Sequence, residues 1–384
     1  GLLDPDQEFG IVALDDTTLQ ITFKEAMTFD TFFNSYSCYY FVLPEHCFTD
    51  MTAAEIAASD FWENPVASGA WTVESQIVNN TLTLVPNENY HLGAPKLDKL
   101  IFTVMDSSNF TSALMSGSID FCYPAVSTEE AAALELVDNV VVETSATPNV
   151  LWFFNVNNQL ISDANVRKAM NMAIDKELIA SQLFSGGAVA VESIELYGSS
   201  LYDNDLTVNY DPDGAKALLD EAGWDYSTVI HIATPSGVRS QIATIIQQNL
   251  ESIGMQVEVS TLDIGTMYSK MHSGEYEACM GGGTPSLDPL YFQSNLETSN
   301  INTSIIKTTD NTYHELAQKI SAAMTEEEKL AAVKEYQDYI SEQQAVIPIV
   351  SVYSYNAYSS RLKGIDPNLS VYYNDNTYEW YVAE

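Results

Sequence analysis

The chain has 384 residues, with 53 acidic and 15 basic side chains and a formal net charge of −38. A surface this acidic repels phosphate backbones and anionic lipid, which excludes nucleic-acid binding and docking through a polybasic patch. At this length a single hydrophobic core stops growing, so two lobes are expected, and no run approaches the roughly 18 apolar residues of a membrane span.

The opening GLLDPDQEFG lacks the basic start and apolar stretch of an export signal, so any such signal has been removed or lies upstream. Thr18, Gln20 and Thr22 alternate with Leu19, Ile21 and Phe23, which predicts a half-buried strand after an acidic turn. Residues 71–86 read as a hairpin turning at Asn79-Asn80, and residues 98–105 as a further strand. A helix is expected from Ser108 to Ser116, stopped by Gly117, then a strand over Ile119–Tyr123. A helix from Thr128 to Leu136 and strands at Val140–Thr144 and Val150–Asn155 complete an α/β rhythm.

The second half is more sharply punctuated. Asp163 caps an expected helix over 165–184, with Val166, Ala169, Met170, Ala173 and Ile174 on one buried face. Asp211-Pro212 opens the next helix and Gly223 closes it. Strands at 229–233, 256–260 and 276–280 alternate with helices at 238–252 and 264–271. Two long helices over 311–324 and 326–343 precede a strand from Val346 and an aromatic-rich end.

Little in this chain reads as catalysis. The five histidines fall at no metal-ligand spacing, and no GxSxG elbow or recognisable cysteine nucleophile is present. Gly281-Gly282-Gly283-Thr284 lacks the ending of a phosphate loop. Carboxylates abound, so a pair at hydrolase distance arises by chance; Glu129-Glu130 and Glu326–Glu328 read as first-turn residues favouring a helix dipole. Cys38, Cys47, Cys122 and Cys279 form no CxxC pair, and a Cys38–Cys47 bridge is left open. No cofactor and no metal site is expected. More telling are aromatics at strand ends, Tyr123, Trp152, Tyr291, Tyr353 and Tyr355, where α/β sheets bind ligands. Arg239, after the Pro235-Ser236-Gly237 turn, is a rare cation suited to a ligand carboxylate; the alternative is a surface ion pair.

Six segments in order resemble the bacterial extracellular solute-binding proteins of family 5, which include oligopeptide-, dipeptide- and nickel-binding components of ABC transporters. They are NPVASGAW (64–71), NENYHLGAPKLDKL (87–100), SGSID (116–120), FN (154–155) with DANVRKAMNMAIDK (163–176), YDPDGAKALLDEAGW (210–224) and AVIPI (345–349). The resemblance implies a two-lobed α/β fold of the periplasmic-binding-protein type (type II) that closes on its ligand, with an incomplete first lobe. Residues 1–66 would be the remainder of a small extra domain. Residues 67–152 and 349–384 would form lobe one, and 153–348 lobe two. With this resemblance the candidate ligand wall is Tyr123, Trp152, Phe153, Asn155, the Gly281, Gly282 and Gly283 edge, Asp288, Tyr291 and Tyr353, where bare glycine backbone could pair with an extended ligand; Arg239 joins it on its own scarcity as a cation, not on the resemblance.

The implied role is a periplasmic or extracellular receptor, with a lipid anchor as one means of attachment, that delivers a peptide or similar small polar solute to permease subunits, and is not an enzyme. The alternatives are a sensing module on the same fold or a carboxylate-based hydrolase. The family's peptide-binding members carry a Trp where this chain has Gly282, and an Asp near Pro285, which puts peptide specificity in question. The resemblance also implies chain preceding Gly1, so self-association or a companion N-terminal fragment is expected to cover an exposed sheet.

Overall fold

A computed structural model describes residues 10–23, 28–29, 32, 42–122, 126–145, 147–283, 289–290, 296, 304–365 and 376–383. Its strands are β1 (Ile11–Asp15), β2 (Thr18–Ile21), β3 (Trp71–Ile77), β4 (Thr81–Pro86), β5 (Leu100–Thr103), β6 (Val140–Thr144), β7 (Val150–Val156), β8 (Ala188–Ala190), β9 (Val229–Thr234), β10 (Gln256–Thr261), β11 (Ala278–Gly283), β12 (Val346–Val352), β13 (Tyr355–Ser359), β14 (Leu362–Lys363) and β15 (Tyr381–Val382). The helices are α1 (Ala53–Ala57), α2 (Phe110–Met115), α3 (Thr128–Leu134), α4 (Ala164–Ala173), α5 (Lys176–Phe184), α6 (Pro212–Glu221), α7 (Val238–Ser252), α8 (Ile264–Ser273), α9 (Thr312–Ala322) and α10 (Glu326–Gln343). Among the described residues no helix is long and apolar enough to cross a membrane.

The larger lobe is built on a six-stranded sheet in the order β10-β9-β11-β7-β12-β8. Its central strand, β7, reads VLWFFNV and is covered on both faces, so apolar residues occupy both sets of alternate positions. Phe154 and Val156 point into a core shared with α4, α5, α6 and α7. Leu151 and Phe153 point into the opposite core, shared with α9 and α10. Pro348 cannot donate to the ladder, and the register of β12 against β7 slips between Pro348 and Val350.

The single helix expected over 165–184 is two. Ile174 is extended, and the Asp175 side chain caps α5 by accepting from the Leu178 N–H at 2.8 Å. Asn249 of α7 accepts the Asp175 N–H at 3.0 Å and holds the break in place. Lys176, 1% exposed, then reaches Glu192 Oε1 at 2.7 Å and the Val191 carbonyl at 3.1 Å, while Asn171 Nδ2 donates to Glu192 Oε2 at 3.0 Å. Burial lowers the Lys176 pKa, and the Glu192 charge opposes that shift. Arg167 of α4 is buried among carbonyls. Its Nε donates to Gln343 at the end of α10 at 2.8 Å, and its Nη1 to Ile161 at 2.8 Å.

The smaller lobe holds the β3-β4-β5 sheet and the β13-β6 pair, which the Phe121–Tyr358 and Val126–Tyr355 bridges extend. Capping boxes at Ser127/Glu130 and Thr325/Glu328 open α3 and α10. The β1–β2 hairpin differs from its expected half-buried state. Leu19 is 60% exposed, because the two strands pair only with each other and no described layer covers them. Cys47, Cys122 and Cys279 are free thiols among the described residues; the Cys38–Cys47 bridge the sequence left open rests on Cys38, which lies outside them.

Two chain segments link the sheets. All of β7 and β12 belongs to the large sheet, so the crossings fall at residues 145–149 and 353–354, beside the expected boundaries at 152 and 348. The Ser145 N–H donates to the Ser354 carbonyl at 2.9 Å and the Ser354 N–H to Ser145 Oγ at 3.1 Å; the Ser354 hydroxyl donates to Asn149 Oδ1.

Candidate functional site

The sheet topology creates a crevice. From β9 the chain leaves through α7, whose Ile242, Ile246 and Leu250 pack on one face with Ile232 and Met280. It returns through α8, whose Met267 and Met271 pack on the other face with Ala233 and Cys279. Beyond β11, Leu296 and Ile306 join a core on that second face. The connections leaving parallel neighbours β9 and β11 thus diverge to opposite faces, and such divergence opens a ligand crevice at the carboxyl ends of the strands. The same edge carries the amino end of β7 and the carboxyl end of β12, so it meets the crossings to the smaller lobe.

Three features meet at this edge. First, β11 pairs with β9 only through Ala278 and Cys279, but with β7 as far as Gly283, so no described strand covers the β9 side of Gly281–Gly283. Second, α7 begins after Gly237, which supplies no side-chain cap, so its first N–H groups and dipole face the crevice. Third, the guanidinium of half-buried Arg239 lies over the Trp152 ring, 5.1 Å from its centroid. No carboxylate pairs with Arg239 among the described residues, although acids outnumber bases 53 to 15 in the chain. Burial pushes the Cys279 thiol up to about 12, and the Asn155 hydrogen bond and the Arg239 charge pull against that shift.

The expected wall divides between two faces. Trp152, Gly282 and Arg239 lie on the α7 face. Phe153 and Asn155, 6% and 1% exposed, lie on the other, where Asn155 Nδ2 donates to Cys279 Sγ at 3.7 Å. Adjacent strand residues point oppositely, so Trp152 and Phe153 cannot share a wall. The glycines also have an internal reason. A Cβ at Gly281 would stand 2.1 Å from the Phe153 ring, and one at Gly282 1.8 Å from Trp152 Cε3. Tyr353 is half-buried at the same sheet edge, two strands from β11, and its N–H donates to the Gly187 carbonyl at 2.9 Å. Tyr123, Asp288 and Tyr291 lie outside the described residues.

Sequence reasoning missed Gly187, which the Tyr355 hydroxyl and Thr128 of the smaller lobe both approach, and the Ser145–Ser354–Asn149 brace. Their only signal was small polar residues at strand ends. A separate apolar cavity of about 370 Å³ lies in the smaller lobe between β5, Phe121 and Trp380, away from the crevice. Among the described residues no three His, Cys, Asp or Glu side chains converge as metal ligands.

Residues 2–304 match the family model described as bacterial extracellular solute-binding proteins, family 5 Middle. The oligopeptide-binding protein AppA of Bacillus subtilis is 25% identical over 291 residues, which is 70% of this chain and 53% of that protein. The glutathione-binding protein GsiB of Salmonella paratyphi A is 24% identical over 373 residues, 91% of this chain and 70% of that protein. The chain spans about half the length of the first curated relatives it matches. The solved structure of DppA from Helicobacter pylori, in complex with the peptide STSA, superposes with a TM-score of 0.84 at 23% identity, covering 97% of this chain and 74% of that one. That likeness carries the two-lobed fold.

Proposed function

This chain belongs to the bacterial extracellular solute-binding proteins, family 5, and from that premise we propose that it captures a peptide or similar small polar solute between its lobes and hands it to the permease of an ABC transporter. The observation that carries the reading is Arg239, half-buried at the crevice edge and unpaired with any described carboxylate. A half-buried guanidinium with no carboxylate partner among the described residues is free to pair with a ligand's anion. A carboxylate there gains bidentate hydrogen bonds from the guanidinium and the dipole of α7. The open side of Gly281–Gly283 offers backbone groups to an extended ligand. Closure about the two crossings then buries the ligand, with no covalent step. Relatives named for binding oligopeptide and glutathione support a ligand with a free carboxylate. The protein acts outside the cytoplasmic membrane in this reading, held there by a lipid anchor.

Native mass spectrometry of freshly purified protein tests it. A small ligand carried at one per chain by the wild type and lost from Arg239→Ala is expected. Equal ligand on both proteins would remove Arg239 from the reading, and a ligand without any anionic group would overturn the carboxylate.

A further inference from the structure

We propose that Gly282 and Trp152 act as a positioning pair that fixes the guanidinium of Arg239 at the crevice edge; the inference rests on the reading of Arg239 as the ligand's anion contact. The chain has three arginines. Arg167 is held by carbonyls and Arg361 by Asp120 at 2.7 and 2.8 Å. Arg239 alone of the three is held by an aromatic face, that of Trp152, among the described residues.

Trp152 can take that place only because residue 282 has no side chain. The two residues are register partners on β7 and β11. A Cβ at position 282 would lie 1.8 Å from Cε3, 2.2 Å from Cζ3 and 3.0 Å from Cδ2, a clash with the Cε3–Cζ3 edge of the indole. That edge therefore fills the space a side chain at 282 would need. The indole Nε1 is buried and has no hydrogen-bond partner among the described residues, so packing rather than a directed bond sets its orientation. The indole thus has its edge against the bare backbone at Gly282 and the Arg239 guanidinium over its face.

A cation–π contact holds a guanidinium over the ring without consuming its N–H donors, which a planar anion can then engage. It also removes rotamer freedom before the ligand arrives, so less is lost on binding. Gly281 is different, since its missing Cβ makes room for Phe153 and Asn155 on the far face, away from Arg239.

Two readouts test the pair. The first needs no ligand. The three arginine Nε–Hε resonances are recorded by NMR, and the Arg239 signal should be displaced by the Trp152 ring current. Gly282→Ala and Trp152→Ala should return it to an ordinary position, Trp152→Phe should keep part of the displacement, and the Arg167 and Arg361 signals should stay fixed as a check on the fold. An Arg239 signal unmoved in Gly282→Ala, with the other two also unmoved, overturns the proposal. Should all three signals of Gly282→Ala be lost through unfolding, Trp152→Ala decides alone.

The second readout titrates tri-alanine and its C-terminal amide. Wild type should prefer the free carboxylate by about tenfold, the worth of one charge-assisted hydrogen bond. Gly282→Ala and Trp152→Ala should abolish that preference, read as the ratio of the two affinities within each variant so that any common change in peptide binding cancels. If only Arg239→Ala abolishes it, the carboxylate reading stands and the positioning role falls. If wild type shows no preference, the carboxylate reading falls, and the NMR arm still decides whether the pair holds Arg239.

Discussion

Gly187→Ala tests how the two lobes meet. Gly187 sits between α5 and β8 in the larger lobe, and its φ is not in the left-handed region, so alanine suits the backbone. The added Cβ would stand 2.5 Å from Tyr355 Oη, 2.9 Å from Thr128 Oγ1 and 3.1 Å from the Phe184 carbonyl. Two of these are closer than carbon tolerates, and overpacking of this kind costs about 1–3 kcal/mol. Tyr355 belongs to β13 and Thr128 to α3, both in the smaller lobe, so relief of the contact moves one lobe from the other. Gly187→Ala should therefore lose stability in urea unfolding and show a larger radius of gyration in small-angle scattering. Adding Tyr355→Phe removes the nearest atom and should recover about half of the loss or more. A variant as stable and compact as wild type, or a double variant without recovery, would refute the contact.

Three further outcomes are expected. Lys176→Met leaves Glu192 buried without its cation and should cost about 3–5 kcal/mol in chemical unfolding, whereas Lys176→Met with Glu192→Leu should return close to wild type. Burial alone would raise the Asp203 pKa, but hydrogen bonds from Lys334 and the Asp205 N–H outweigh it and lower the pKa. The carboxylate is thus more acidic folded than unfolded, so its stabilisation is full above the ordinary pKa of about 4 and fades as pH falls through the lower folded value. Asp203→Asn should cost about 1–3 kcal/mol at pH 7, with the difference vanishing once the pH has fallen below the lowered folded value. Burial pushes the Cys122 thiol up to about 11 and Cys279 to about 12, so iodoacetamide at neutral pH should label Cys47 and spare both until denaturant is added.

Much of the fold was legible because its signals are local. Asp163, Asp211, Asp263 and Thr325 each accept a first-turn N–H, so helix starts could be read from single residues. The break between α4 and α5 was not legible. The apolar spacing runs through Ile174, and the interruption is stabilised by Asn249, far along the chain. The β1–β2 hairpin misled for a related reason, since alternation specifies a strand but not what covers it.

The site shows the same limit. Arg239 could be picked out because cations are scarce in this chain. The contact of Trp152 with Gly282 could not, because it depends on the register of two antiparallel strands that are distant in sequence. Once β7 is known to be a strand, alternation alone separates Trp152 from Phe153 and Asn155.

Hydrogen exchange with and without an equimolar tripeptide mixture tests the central claim most directly. Capture in the crevice should slow exchange at Gly281–Gly283, at the first turn of α7 and along the crossings at 145–149 and 353–354, while β5 and the smaller-lobe cavity stay unchanged. Protection confined to β5 and the walls of that cavity, with the carboxyl ends of β9 and β11 unaffected, would contradict the account.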